Sequence, residues 1–316
     1  MIRKKVLIFG ASGQIGKYCI RRLVRNDFRV IAATRNSHRK GYILKTQAPI
    51  GYIDIKEVSI YDDKRIREII SESDICLNLI GILFEKGKNT FKNIHIDFPE
   101  KISKICKEEN KNLIHVSALA LSKAKDSKYA LSKTEGETKV RNNLPNATII
   151  KPSIVYSVDD NFTTRFMSIM GLLPIFPLYY NGQTKFSPIH ASEVAELICH
   201  VVSKEIYAKD IEVIGPEVLT FKEIIQKIIK SINKRRILLP MPITLAKISA
   251  SILQLLPNPL ITRDQLNLLK YDNIKSDEGV TNFDIGCASK IYFDDAIAKY
   301  AYNWRDGGEF SIKKND

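Results

Sequence analysis

A tyrosine and a lysine four residues apart, Tyr129 and Lys133, are the clearest catalytic candidates in this 316-residue sequence. Residues at positions i and i+4 of a helix lie on one face. A nearby ammonium stabilises phenolate, lowers the pKa of the tyrosine and lets it act as an acid or base near neutral pH. The same spacing occurs at two other places in the chain, so an exposed helix pair without function is the alternative interpretation.

Position distinguishes Tyr129 from the other matches, because it follows a predicted strand that ends in Ser117. The hydroxyl of Ser117 could orient a substrate oxygen, while Tyr129 donates a proton to it and Lys133 tunes the phenol. The alternative for Ser117 is a hydroxyl that caps the end of the strand. Together the three residues would suit proton transfer to or from a substrate oxygen.

A glycine-rich turn near the start of the chain predicts a phosphate-binding site. Four apolar residues, 6–9, precede Gly10, and glycines recur at Gly13 and Gly16 before an amphipathic run. Gly10 can form the turn, Gly13 lets backbone approach a pyrophosphate, and Gly16 lets a helix pack close to the strand. This order of strand, turn and helix predicts a dinucleotide at the helix N-terminus. A plain strand–helix turn with chance glycines is the alternative.

The end of the second predicted strand indicates which dinucleotide is bound. An NAD site usually has Asp or Glu about 20 residues after the glycines, whereas this chain has Arg35. A guanidinium pairs well with a ribose phosphate, so we predict NADP(H) in preference to NAD(H). Loop cations without a ligand are the alternative. Ser59 and Ile60 are placed where adenine should lie, and Gly81 can approach the cofactor from the fourth strand.

The elements that must position these residues alternate regularly. Strands are predicted near 4–9, 28–34, 52–58, 74–80, 112–117 and 147–151, and helices near 14–26, 62–72, 91–110 and 129–143. This alternation predicts the α/β class, with a Rossmann-type doubly wound parallel sheet. We expect a nucleotide-binding domain at 1–155 and a smaller, mostly helical substrate or partner region at 156–316, interleaved with the sheet.

Composition narrows the class of protein. The chain is 44% hydrophobic and 27% charged, as is ordinary for a globular protein. The best candidate for a membrane span, 243–256, has only 14 residues and contains Lys247, so it predicts an amphipathic helix and no transmembrane segment. Five scattered cysteines predict reduced thiols. No ligand spacing joins His95, His115, His190 and His200, so we predict satisfied structural histidines and no metal site. The first strand begins near the start of the chain, so a cytoplasmic protein, or one already processed, is expected.

The charge is strongly positive and uneven. The net charge is +14, and residues 1–40 contain eleven Lys and Arg and one acid. This pattern predicts either a surface for an anionic partner, such as phospholipid or an acidic protein, or merely a solvated helix face. No nucleic-acid-binding module is recognisable, so nucleic acid is not expected as a partner.

The glycine turn, Ser117 and the Tyr129–Lys133 pair together resemble the extended or atypical branch of the short-chain dehydrogenase/reductase superfamily. More narrowly, the chain resembles the 39-kDa-type NADPH-binding accessory subunits of respiratory complex I and their bacterial relatives. The stretches that carry this resemblance are 9–13, 78–83, 115–119, 151–155 and 260–265. The stretch 262–265 is more particular to the subunit group than the other four.

The resemblance implies roles for particular residues. The pyrophosphate would be held by Gly10, Ser12, Gly13, Gln14 and Ile15, beside Gly16. Arg35 would hold the ribose phosphate and Lys133 the nicotinamide ribose. The chain departs from the pattern of nucleotide-sugar epimerases at Phe9, Gln14 and Ser59. These departures disfavour a sugar nucleotide as substrate.

Two functions follow from the resemblance and the residues. The first is a complex I accessory protein in which NADPH is structural or used slowly, with respiratory subunits or the membrane surface as partners. Such a protein would be peripheral on the inner membrane of a bacterium. The second is an independent NADPH-dependent oxidoreductase acting on a carbonyl or quinone-like substrate. A redox-sensing regulator without chemistry has no positive feature in the sequence.

Overall fold

A sheet of seven parallel strands organises residues 3–310, the part of the chain that the computed structural model describes. In chain order the strands are β1 (Lys5–Phe9), β2 (Arg29–Thr34), β3 (Ile53–Glu57), β4 (Ile75–Asn78), β5 (Asn112–Val116), β6 (Thr148–Pro152), β7 (Val155–Tyr156), β8 (Ile175–Leu178), β9 (Lys185–Phe186), β10 (Ile189–His190), β11 (Asp210–Val213), β12 (Leu219–Thr220) and β13 (Ile237–Pro240). The large sheet has the order β11-β6-β5-β4-β1-β2-β3. The order reverses between β1 and β4, and ligands of such sheets bind at this reversal.

The helices cover both faces of the sheet. They are α1 (Gln14–Arg25), α2 (Ser37–Lys45), α3 (Asp63–Ser71), α4 (Phe98–Glu108), α5 (Lys128–Asn143), α6 (Thr163–Leu172), α7 (Ala191–Lys204), α8 (Phe221–Ser231), α9 (Ile243–Leu253), α10 (Arg263–Leu268) and α11 (Phe293–Ala298). A π-helical turn, Lys92–Asp97, leads into α4. One face packs against α1, α2 and α7, and the opposite face packs against α3, α4 and α5.

The sequence-based prediction of a doubly wound parallel sheet is confirmed, and all six predicted strands are present. Helix α2 and strand β11 are among the elements that were not predicted individually. Helix α2 lies in the basic stretch after β2, and β11 adds a seventh strand through the pair Asp210↔Ile149. Helix α7 also packs against α1, so the second half of the chain completes the layers of the first. The division at residue 155 stays a prediction.

A second, smaller core lies in the C-terminal half. It contains the buried side chains of Tyr156, Phe176 and Phe221, with α6, α8 and α11 around them. Three two-stranded ladders, β7–β10, β9–β12 and β8–β13, brace this region. Among residues 3–310, no helix combines the length and the apolarity that crossing a bilayer requires. The same residues contain no group of three or more metal-ligating side chains.

Candidate functional site

The turn between β1 and α1 has geometry that only glycine can adopt. Gly10 has φ = 82°, and a Cβ placed there would lie 3.2 Å from the carbonyl carbon of Leu79. A Cβ on Gly16 would lie 2.5 Å from the carbonyl oxygens of both Gly10 and Ala11. The Gly13 amide donates to the Gly10 carbonyl at 2.9 Å and closes the turn. The glycines therefore hold α1 tightly against the centre of the sheet.

The N-terminus of α1 carries no side chain over its amides. Gly13 is the N-cap residue, no side chain caps the helix, and its first turn has no acid. The first N–H groups of a helix have no partner within the helix. The side-chain amide Nε2 of Gln14 donates to the Val155 carbonyl at 3.3 Å, so this side chain turns toward β7. Ser12 and Ile15 are half-buried at the same tip. These backbone amides suit an anion such as a pyrophosphate.

Arg35 lies exposed directly after β2, as the sequence predicted. Its guanidinium donates to Asn89 Oδ1 at 3.3 Å, and no carboxylate pairs with it within residues 3–310. The neighbouring strand β3 ends in Glu57, which accepts hydrogen bonds from the amide of Ser37 at 2.8 Å and from its hydroxyl. Glu57 is thus held at the start of α2, and Arg35 keeps a guanidinium able to take an anion.

The other predicted cofactor residues lie along the same edge of the sheet. Ser59 is exposed after β3, and its hydroxyl accepts from the Tyr61 amide at 3.3 Å. Ile60 beside it is buried. Gly81 is exposed after β4, and a Cβ there would lie 3.4 Å from Lys133 Nζ. The end of β4 and the lysine of α5 therefore meet at one place.

Lys133 is a buried ammonium, only 4% exposed, and not part of an exposed helix pair. Its Nζ donates to the Val116 carbonyl at 3.2 Å, at the end of β5. Burial lowers the pKa of Lys133 to about 8, against a smaller opposing effect of Glu137. Near neutral pH the group is a cation held in a poorly solvated place beside Gly81.

His95 connects the loop after β4 to α5, a role that sequence reasoning missed. Its Nε2 accepts from the Ile82 amide at 3.1 Å, and its Nδ1 lies 2.9 Å from the Ser132 hydroxyl. Because Ser132 donates to the Tyr129 carbonyl, His95 must donate through Nδ1. Burial and the charge of Lys133 lower the pKa of His95 to about 2 and keep the ring neutral.

His115 is the second histidine near the ammonium, on β5. Its Nδ1 accepts from the Asn78 amide at 3.1 Å, and Asn78 in turn accepts from the Ile80 amide. Its Nε2 is buried with no hydrogen-bond partner among the described residues. Burial and Lys133 lower the pKa of His115 to about 3. The sequence predicted satisfied structural histidines, and His115 is satisfied at one nitrogen only.

Tyr129 is half-buried at the start of α5, with its ring against those of Phe91 and His95. The centroids are 6.0 and 5.4 Å away. The expectation that Lys133 lowers the pKa of this phenol does not hold in the structure. Burial and the charges of Glu137 and Asp264 raise the Tyr129 pKa to about 12. The phenol is therefore protonated near neutral pH, and it is a weaker acid than an unperturbed tyrosine.

Ser117 follows β5, and its hydroxyl is buried without a hydrogen-bond partner among residues 3–310. The strand-cap interpretation predicted a bond from this hydroxyl to nearby backbone, and none is present. The backbone of Ser117 is fixed, because its amide donates to the Ile150 carbonyl at 2.8 Å. A buried, unpaired hydroxyl is uncommon in folded proteins and is available to a substrate oxygen.

The N-terminus of α5 is held by a carboxylate that sequence reasoning did not assign. Asp264, on α10, accepts hydrogen bonds from the amides of Lys128 and Tyr129 at 2.6 and 3.0 Å. It also accepts from the Ser127 hydroxyl at 2.9 Å. Thr262 and Gln265 form a capping box that starts α10 itself. The 262–265 stretch thus fixes the helix that carries Tyr129 and Lys133.

The sheet, the glycine turn and the Tyr129–Lys133 pair define the class as an extended short-chain dehydrogenase/reductase. A family profile described as the RmlD substrate binding domain matches residues 4–248, more than three quarters of the chain. The chain belongs to this family, as the resemblance of its motifs predicted.

Two named proteins with similar sequences give more detail than the family profile does. The NADH-ubiquinone oxidoreductase 40 kDa subunit of Neurospora crassa is 27% identical over 88% of this chain and 74% of its own length. A protein named ceramide reductase from Caulobacter vibrioides is 21% identical over 61% of this chain and 59% of its own. The predicted relation to complex I subunits is thereby confirmed.

Solved structures support the same fold. A dTDP-glucose 4,6-dehydratase from Streptomyces venezuelae, crystallised with NAD, superposes with a TM-score of 0.70 over 95% of this chain and 96% of its own. Its sequence is 14% identical, so this likeness concerns the fold alone.

Proposed function

We propose that this protein binds NADP(H) along the carboxyl edge of β1, β2 and β4. The observation that carries the proposal is the uncapped tip of α1 beside the exposed guanidinium of Arg35. The backbone amides after Gly13 would hold the pyrophosphate, and Arg35 would hold the 2′-phosphate. Ser59 and Ile60 would contact adenine, and Lys133, adjoining Gly81, would hold the nicotinamide ribose.

The function supported best is that of a complex I accessory protein with structural or slowly used NADPH. The similarity to the subunit of Neurospora crassa extends over most of both chains. The stretch most particular to such subunits, 262–265, serves here to fix α5 and does not itself enter the nucleotide edge. The partners would be respiratory subunits, and the protein would be peripheral on a bacterial inner membrane.

Nucleotide titration tests the cofactor proposal directly. NADPH should bind more tightly than NADH, and Arg35→Ala should weaken NADPH by about 10- to 100-fold, the value of a charge-assisted hydrogen-bond pair. Arg29→Ala is a matched control, because Arg29 is exposed at the opposite end of the same strand. Tighter binding of NADH by the wild type, or equal loss from both variants, would contradict the assignment of Arg35.

Partner capture tests the accessory role. The native protein, recovered from its own membranes, should carry respiratory subunits, and mass spectrometry should identify NADPH as the bound nucleotide. Recovery with NADPH but without any respiratory subunit would reject the accessory role and leave the nucleotide proposal standing.

An independent oxidoreductase is the second candidate, favoured by the unpaired hydroxyl of Ser117. The dinucleotide, when bound, supplies a hydride. Ser117 would orient a carbonyl oxygen, and the protonated phenol of Tyr129 would donate to it. Lys133, beside Gly81, would hold the nicotinamide ribose. The relative named ceramide reductase supports a lipid-like substrate class.

Oxidation of NADPH across a panel of carbonyl compounds and quinones tests this candidate. Tyr129→Phe should reduce the rate by about 10²- to 10⁴-fold, as expected for loss of a general acid. Tyr42→Phe is the control, because Tyr42 is exposed on α2. Equal rates for Tyr129→Phe and the wild type would reject the role of Tyr129.

A further inference from the structure

Helix α9 packs with its small residues inward and its large aliphatic residues outward. Ala246 and Ala250 are fully buried, in a small cluster with Tyr179 and Leu266. The outward residues of the helix, and one leucine just after its end, are 56–80% exposed. We call them the α9 face: Leu245, Ile248, Ile252 and Leu255. A helix on the surface of a water-exposed protein normally turns such residues toward the core. The α9 face therefore suits an apolar environment outside this chain.

A second exposed apolar surface immediately precedes α9 in the chain. Ile237 on β13 pairs with Ile175 on β8, and both are exposed, at 63% and 48%. Leu239 lies two residues further along β13, on the same side, and is 56% exposed. On the other side of this ladder Phe176 is buried in the C-terminal core. Exposed aliphatic surface of this extent is typical of an interaction site.

Cations predominate in the chain segments that form these surfaces. Residues 224–263 contain no Asp or Glu and seven Lys and Arg, of which Lys227 and Lys234 pair with carboxylates outside this stretch. Residues 161–192, which include β8, contain no acid either. Lys247 is exposed on α9, and Arg263 extends to the Ser251 hydroxyl at the C-terminal end of α9, at 2.5 Å. An apolar face bordered by cations complements an anionic surface.

We propose that the α9 face docks on the surface of a membrane containing anionic phospholipid. Protein interfaces are enriched in aromatic residues and direct hydrogen bonds, whereas this face is purely aliphatic. Apolar residues on one side and cations at the border are typical of helices that lie in the membrane interface. The eleven residues of α9 extend about 16 Å, so the helix lies along the surface and does not cross the bilayer.

Docking through α9 places the membrane on the side of the molecule that holds the start of α5. Helix α10 packs between them, with Leu266 against α9 and Asp264 on the amides of α5. The loop after β4 reaches the same region, because Lys86 donates to the Pro257 carbonyl at 3.1 Å. This inference rests on the peripheral membrane location in the proposed function and names the face that makes the contact, but it does not depend on nucleotide binding.

Vesicle co-sedimentation of the full-length protein tests the inference. Vesicles of phosphatidylcholine with about 40 mol% phosphatidylglycerol should bind the protein at least about tenfold more strongly than pure phosphatidylcholine, and added salt should weaken binding. The double variant Leu245→Glu/Ile248→Glu should lose that binding. Ile50→Glu is the matched control, because Ile50 is fully exposed before β3 and outside the face.

The results distinguish a membrane from a second copy of this chain as the partner of the α9 face. A wild type that does not bind the anionic vesicles overturns the inference, and so does a double variant that binds like the wild type. A wild-type dimer that the double variant converts to a monomer would assign the face to a second copy instead. Thermal unfolding of each variant verifies folding, and NADPH titration of the same samples tests the nucleotide proposal separately.

Discussion

Replacing Lys133 by methionine should stabilise the protein, because the lysine is a buried cation held mainly by one carbonyl. The fall of its pKa from 10.5 to about 8 corresponds to about 3 kcal/mol of unfavourable charging at neutral pH. Methionine has a similar length and no charge. The free energy of unfolding of Lys133→Met should therefore exceed that of the wild type by about 2–3 kcal/mol at pH 7.

The stability difference between Lys133→Met and the wild type should decrease as the pH rises. Between pH 8 and 10.5 the unfolded wild type binds more protons at this lysine than the folded protein does. Wild-type stability therefore rises with pH across that window, relative to the variant. The full difference should be present below about pH 8, where Lys133 is charged in both states, and nearly absent by about pH 11.

Urea denaturation at a series of pH values measures this difference. Lys128→Met is the control, because Lys128 is exposed on the same helix and should change stability by less than about 0.5 kcal/mol. A Lys133→Met protein less stable than the wild type at pH 7 would refute the reasoning, as would a difference independent of pH. If the variant is more stable, the wild-type chain retains a lysine that destabilises the fold. Residues that lower stability in this way are common at functional sites.

Two further predictions concern the elements around the site. Asp264→Ala should lower the free energy of unfolding by about 1–2 kcal/mol, because it removes a charged cap from α5, and should also lower the Tyr129 pKa. Denaturation and ultraviolet titration of phenolate measure the two effects, and Asp277→Ala, at an exposed aspartate, should show neither. Gly16→Ala should displace α1 from the turn and weaken NADPH by more than about tenfold in the titration, since its Cβ would meet two carbonyl oxygens at 2.5 Å. Unchanged NADPH affinity would contradict the role of the turn.

The part of the fold that depends on local pattern could be predicted from the sequence. The apolar run into Gly10 and the amphipathic helix after it predicted β1 and α1 correctly, because both signals lie within about twenty residues. Strand β11 could not be predicted this way. It has four residues, begins at an exposed aspartate and is defined by its pairing with β6, 61 positions earlier at Asp210↔Ile149.

The chemistry of the candidate site was predicted less completely than the strands and helices, because it depends on contacts that form only in the assembled fold. The positions of Tyr129 and Lys133 follow from helical spacing, but their burial does not. Burial reverses the expected direction of the Tyr129 pKa. Asp264 lies 137 positions from Ser127, so no local pattern connects it with α5. His95 was predicted to be structural, and only its neighbours show that it braces the helix of Tyr129.

The late position of β11 in the chain has a consequence for biosynthesis. A nascent polypeptide that has emerged only as far as β6 still exposes an open hydrogen-bonding edge, and the apolar side of α1 still awaits α7. Edges of that kind invite pairing with other chains. Folding on the ribosome must therefore wait for about sixty more residues, an interval in which chaperones have their greatest opportunity to act.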